Sequence, residues 1–116
     1  MPAALKLDLF ADQLYSFFGD FPYLVGSALK TTAWRDVDVR VILPDDQYAA
    51  LFPGCTPDGE HQCAKWCALC LAFAALGREM TGLPIDFQVQ QQSWANKRHP
   101  GQRSALGFVE HRFKKD

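Results

Sequence analysis

The stretch Asp36 to Leu43 constrains this chain most. It reads D-V-D-V-R-V-I-L, with Val37, Val39 and Val41 on one face and Asp36, Asp38 and Arg40 on the other. A period of two is the signature of a β-strand with one face on a core. Ile85 to Gln90 repeats the pattern, setting Ile85, Phe87 and Val89 against Asp86, Gln88 and Gln90. Between them runs an apolar segment, about Glu60 to Met80, long enough for a helix and closed by Thr81-Gly82-Leu83-Pro84. Two strands joined by a helix call for a sheet covered by helices, so the fold class read here is α+β, a small mixed sheet flanked by helices.

The remaining segments fit that plan. Leu5, Leu9, Leu14, Phe17 and Phe18 recur at roughly helical spacing before Gly19, which predicts an opening amphipathic helix. Phe21 to Val25 is a short β-type run, and Ala28 to Trp34 has room for about two helical turns. Asp45 to Phe52 reads as a short helix after Pro44, Pro53 to Gly59 as loop, and Phe108 to Phe113 as a last strand. With 116 residues, 48% of them hydrophobic, the chain has the makings of one globular domain spanning 1–116, with a core over about 20–91.

Charge and cysteines exclude several classes. A net charge of −1 gives no general attraction to nucleic acid or to an anionic membrane. The segment 95–116 is nevertheless basic, with Lys97, Arg98, Arg103, Arg112, Lys114 and Lys115 against Glu110 and Asp116. For Lys97 to Arg103 the bland reading is a solvated loop; the functional reading, with Trp94 and His99 nearby, is contact with an acceptor nucleic acid or a triphosphate. Asp8 and Asp12 interrupt the N-terminal apolar positions, unlike a secretory leader, and no stretch is long and apolar enough for a bilayer, so a cytoplasmic chain without membrane association is expected. Cys63, Cys67 and Cys70 follow i, i+4, i+7 spacing, which predicts one buried stripe of reduced, metal-free thiols facing the sheet with Phe73, Ala74 and Gly77. Three thiols on one helical stripe do not supply a tetrahedral zinc site.

Chemistry is suggested by three carboxylates on polar strand faces. Asp36 and Asp38 are two residues apart, about 7 Å along a strand, and Asp86 stands on the later strand. Carboxylates so placed suit hard divalent ions, magnesium first. Gly26-Ser27 sits where a strand gives way to a helix, a place where close backbone approach and free N–H groups favour phosphate. Together these features describe metal-assisted phosphoryl or nucleotidyl transfer. Each has a plainer reading: acids on a solvent-facing strand, a serine capping a helix, and Arg40 pairing with the acids rather than reaching a substrate phosphate.

In this order, Val25-Gly26-Ser27, Asp36-Val37-Asp38-Val39 and Ile85-Asp86-Phe87 resemble the nucleotidyltransferase signature of the DNA polymerase β superfamily, especially its minimal members, over residues 20 to 91. The resemblance implies a nucleotidyltransferase-like fold and the transfer of a nucleoside monophosphate from an NTP to an acceptor hydroxyl. Carried over, Gly26 and Ser27 grip the β- and γ-phosphates, Asp36 and Asp38 bind two Mg²⁺ ions, and Asp86 binds one ion and helps deprotonate the hydroxyl. Lys30 and Arg40 are further candidates for nucleotide contact. The acceptor is left open among RNA, a protein side chain and a small molecule, and a homodimer or a partner protein is expected to complete so small a site. The alternative is a non-catalytic nucleotidyltransferase-fold binding module, such as the antitoxin-like partner of a toxin pair.

Overall fold

The computed structural model describes residues 3–25, 36–101 and 103–107. The elements, in chain order, are α1 (Ala3–Phe18), β1 (Tyr23–Val25), β2 (Val37–Leu43), α2 (Asp45–Leu51), a 3-10 turn (Pro57–Gln62), α3 (Ala64–Thr81), β3 (Ile85–Gln91), α4 (Gln92–Arg98) and β4 (Ser104–Ala105). The four strands form one mixed sheet in the order β3-β2-β1-β4. β2 and β3 are parallel, whereas β1 is antiparallel to both β2 and β4. The architecture is a compact α+β fold with a small mixed sheet and helices.

The two alternating segments form the strands that their period demands. In β2 the side chains of Val37, Val39, Val41 and Leu43 are fully buried, and in β3 Ile85, Phe87 and Val89 share that face. α1 and α3 cover it. Phe18 and Phe73 both reach the Phe87 ring, with centroids 6.0 and 5.6 Å away. Gly77 allows the helices to close down: a β-carbon there would stand 2.8 Å from Phe10 Cζ and 3.1 Å from Ile85 Cγ1. The chain leaves α3 through Gly82 at φ 71°, a left-handed helix end that glycine adopts without strain. Thr81 secures this exit, its hydroxyl donating to the Gly77 carbonyl at 2.7 Å and accepting from Leu83 N–H at 3.0 Å.

Several expectations need adjustment. The buried stripe of α1 is Leu7, Phe10, Ala11, Leu14 and Phe18, while Leu5 and Phe17 face outward. The long helix starts at Ala64 rather than near Glu60, because Gly59 takes a non-helical conformation and Cys63 is extended. Cys63 is not a reduced thiol on the helix: it is joined by a disulfide to Cys55, their Cα atoms 5.9 Å apart, brought together by the intervening 3-10 turn. Cys67 and Cys70 lie outside this disulfide, half-buried and buried. α4 occupies residues read as the start of a polar loop, and β4 pairs with β1 where no strand was expected. The expected helix at Ala28 to Trp34 and strand at Phe108 to Phe113 lie outside the described residues. Among the described residues no helix is long and apolar enough to cross a membrane.

α2 and α4 start directly after β2 and β3 and so mark the C-terminal end of the parallel pair. The Asp45 carboxylate ties them, accepting from the Ser93 N–H at 3.0 Å and from the Ser93 hydroxyl. These hydrogen bonds hold the Asp45 carboxyl below its ordinary pKa. The N-terminal end of the pair carries the acids.

Candidate active site

Alternation sends Asp38 and Arg40 to the sheet face opposite the valines, and Asp86 and Gln88 follow on β3. The parallel register then decides which of them meet: Asp38 lies opposite Asp86, and Arg40 opposite Gln88. Two carboxylates distant in sequence thus stand on adjacent strands, on one face, near the start of each strand. Arg40 lies between them. Its Nη2 is 3.8 Å from Asp38 Oδ1 and 3.7 Å from Asp86 Oδ2, while its Nη1 donates to the carbonyls of Asp86 at 2.8 Å and Val39 at 3.1 Å. The Arg40 side chain is 11% exposed, that of Asp38 25% and that of Asp86 52%.

Burial pushes the Asp38 carboxyl above its ordinary pKa. The Arg40 guanidinium opposes this, and the negative charges of Asp86 and Asp36 add to it. Asp36, exposed and immediately before β2, is therefore close enough to act on Asp38 electrostatically. As their side chains stand, no group of three or more His, Cys, Asp or Glu among the described residues is gathered tightly enough to hold a metal ion. The structure brings Asp38 and Asp86 together around Arg40 and leaves Asp36 at the rim.

β1 completes the frame. Its last residue, Val25, is the register partner of Asp38, so this strand ends beside the acids. Gly26, Ser27 and Lys30 follow in the sequence and lie outside the described residues.

No family model, curated protein or solved structure matches this chain.

The donor set is of the right kind for a hard divalent cation, since every candidate ligand is a carboxylate oxygen. The cationic guanidinium already held between Asp38 and Asp86 shows that this point of the surface favours positive charge. Next to it, a groove of about 260 Å³ follows the outer edge of β3, with Trp66, Leu71 and Phe87 as apolar lining and Arg78, Asp86 and Gln88 as polar lining. Asp86 is shared by the groove and the acidic pair. Sequence periodicity carries no signal for this groove, which depends on how α3 crosses β3.

Of the basic residues in this segment, Arg98 and Arg103 have partners within the molecule. Arg98 pairs with Asp58 at 3.6 Å, the Trp94 indole N–H donates to the same carboxylate at 2.8 Å, and Arg103 donates to Asn96 Oδ1 at 3.0 Å and to the His99 carbonyl at 3.2 Å. A second feature that the sequence did not reveal is a buried acid. Glu60, 5% exposed, accepts a hydrogen bond from the Tyr48 hydroxyl. Burial raises its carboxyl to about 7, the Tyr48 hydrogen bond works in the opposite direction, and Asp58 adds to the rise.

Proposed function

We propose that this protein is a magnesium-dependent nucleotidyltransferase that moves a nucleoside monophosphate from an NTP to an acceptor hydroxyl, on a nucleotidyltransferase-like fold. The observation that carries the reading is the register: Asp38 opposite Asp86 on parallel strands, with β1 ending opposite Asp38. The register supports the reading because Asp86, the third acid of the resemblance, stands beside Asp38, one of its paired acids, next to the strand that leads in sequence into Gly26-Ser27.

Asp36, Asp38 and Asp86 would hold two Mg²⁺ ions, which when bound supply charge neutralisation for the attacking and leaving oxygens. Gly26 and Ser27, with Lys30, would hold the β- and γ-phosphates. Asp86, the most exposed of the pair at the sheet, would accept the proton of the acceptor hydroxyl as its oxygen attacks the α-phosphorus. The α–β phosphoanhydride bond breaks, and pyrophosphate leaves with its electron pair. The groove along β3 opens at Asp86 and offers the acceptor an approach.

Calorimetry of Mg²⁺–ATP binding to the parent protein and to Asp36→Asn/Asp38→Asn tests the reading. The exchange keeps side-chain shape and removes charge, so the parent binds and the double variant does not. Equal binding by both makes the acids ordinary surface residues. Absence of binding by the parent replaces the enzyme with the non-catalytic binding-module reading.

A further inference from the structure

We propose that Arg40 is a built-in counter-ion that occupies the place of a divalent cation between Asp38 and Asp86, so that metal entry requires its guanidinium to leave. The inference rests on the reading of these acids as metal ligands and adds to it a residue that competes for their oxygens.

Three observations carry it. First, Arg40 Nη2 is almost equidistant from the two carboxylates, at 3.8 and 3.7 Å, so one positive group serves both. Second, these separations are too long for hydrogen bonds, whereas Nη1 is bonded to the Asp86 and Val39 carbonyls at 2.8 and 3.1 Å. The main chain anchors the guanidinium, and the acids hold it by charge alone without the two-pronged geometry that makes such pairs strong. Its grip on the carboxylates is the part most readily exchanged. Third, the side chain is only 11% exposed. A guanidinium keeps its proton in a protein, and hiding its charge is costly unless anions compensate. Asp38 and Asp86 supply the compensation, and Arg40 in return keeps two like charges side by side on neighbouring strands. A magnesium ion binds carboxylate oxygen at about 2.0–2.1 Å. An ion placed between these carboxylates would meet the Arg40 charge at close range, so the two cations exclude each other.

Electron paramagnetic resonance titration with Mn²⁺ alone, without nucleotide, tests the exclusion. Arg40→Met should bind Mn²⁺ roughly tenfold more tightly than the parent, because a competing charge within a few ångströms has gone. Arg40→Lys, which keeps the charge, should stay near the parent. Arg40→Gln, which retains a donor for the Asp86 carbonyl, should follow Arg40→Met and provides the comparison if the methionine variant does not fold. Thermal melts in EDTA give a readout independent of metal: Arg40→Met should melt lower than the parent, and adding Asp86→Asn should recover part of the loss by removing the repulsion. Equal or weaker Mn²⁺ binding by the Met and Gln variants overturns the proposal and leaves the metal-site reading intact. Unchanged Mn²⁺ binding with a large loss of Mg²⁺–ATP affinity makes Arg40 a phosphate ligand and likewise overturns it. Failure of every folded protein to bind Mn²⁺ sinks both the proposal and the function on which it rests.

Discussion

The Tyr48 hydroxyl donates to the buried carboxyl of Glu60, joining the last turn of α2 to the 3-10 turn that precedes α3. The carboxyl titrates near 7 in the folded protein, against about 4.5 when free. The folded state therefore holds a proton that the unfolded chain has released over this window. Stability contributed by the protonated acid is complete below about pH 4.5 and is lost as pH rises through about 7. The melting temperature should accordingly fall between pH 5 and 8, and Glu60→Gln should flatten that slope. Calorimetric scans across the pH range provide the check; a slope unchanged in the variant would assign the pH dependence to other groups.

The disulfide makes a second prediction. Cys55–Cys63 closes a short loop, and the chain entropy that this cross-link removes from the unfolded state corresponds to roughly 2–3 kcal/mol of stability. Reduction should lower the melting temperature by roughly 10 °C in a domain of this size. Without reductant, the denatured protein should expose two titratable thiols, Cys67 and Cys70, and four after reduction. In the native protein Cys70 should resist alkylation at pH 8, because burial pushes its thiol up to about 12.

Gly77 supplies a packing prediction. Gly77→Val places two methyl groups where even a β-carbon would meet the Phe10 ring at 2.8 Å, between helices that share a filled core. The expected loss is about 2 kcal/mol or more, read as a lower urea midpoint with little change in slope. A midpoint equal to that of the parent would mean that α1 is free to move away from α3.

The contrast between these features shows what the sequence made legible. Period-two alternation located β2 and β3 to within a residue because one face of each strand is fully buried. The start of α3 was misplaced because Glu60 to Cys63 continues the run of residues toward the helix, while Gly59 and the cystine decide the local conformation. Cys55 sits in a loop whose course depends on the 3-10 turn, so its pairing left no mark in the spacing of the other cysteines. α4 buries only Ala95, too little for a helical period to register. At the site, the spacing of Asp36 and Asp38 was readable, but the pairing of Asp38 with Asp86 is a property of register, and register is set by packing across the sheet.

That pairing yields the sharpest prediction about the site. If Asp38 and Asp86 hold one cation between them, neither acid alone suffices, because a divalent ion that loses a charged ligand must recover both the charge and the oxygen from water. Asp38→Asn and Asp86→Asn should each weaken Mn²⁺ binding by tenfold or more, corresponding to about 1.4 kcal/mol. The double variant should be scarcely worse than the weaker single, because once one acid is gone the ion is no longer held at the other, and the second substitution has little left to remove. The double-mutant cycle would then show a large coupling between the residues, as expected for two groups sharing one partner. Asp46→Asn, an exposed acid on α2 beyond the opposite end of the strands, should leave Mn²⁺ binding unchanged and controls for net charge. Independent, multiplying losses at Asp38 and Asp86 would place them at separate ions or in a diffuse field, and the parallel register would then carry no chemistry of its own.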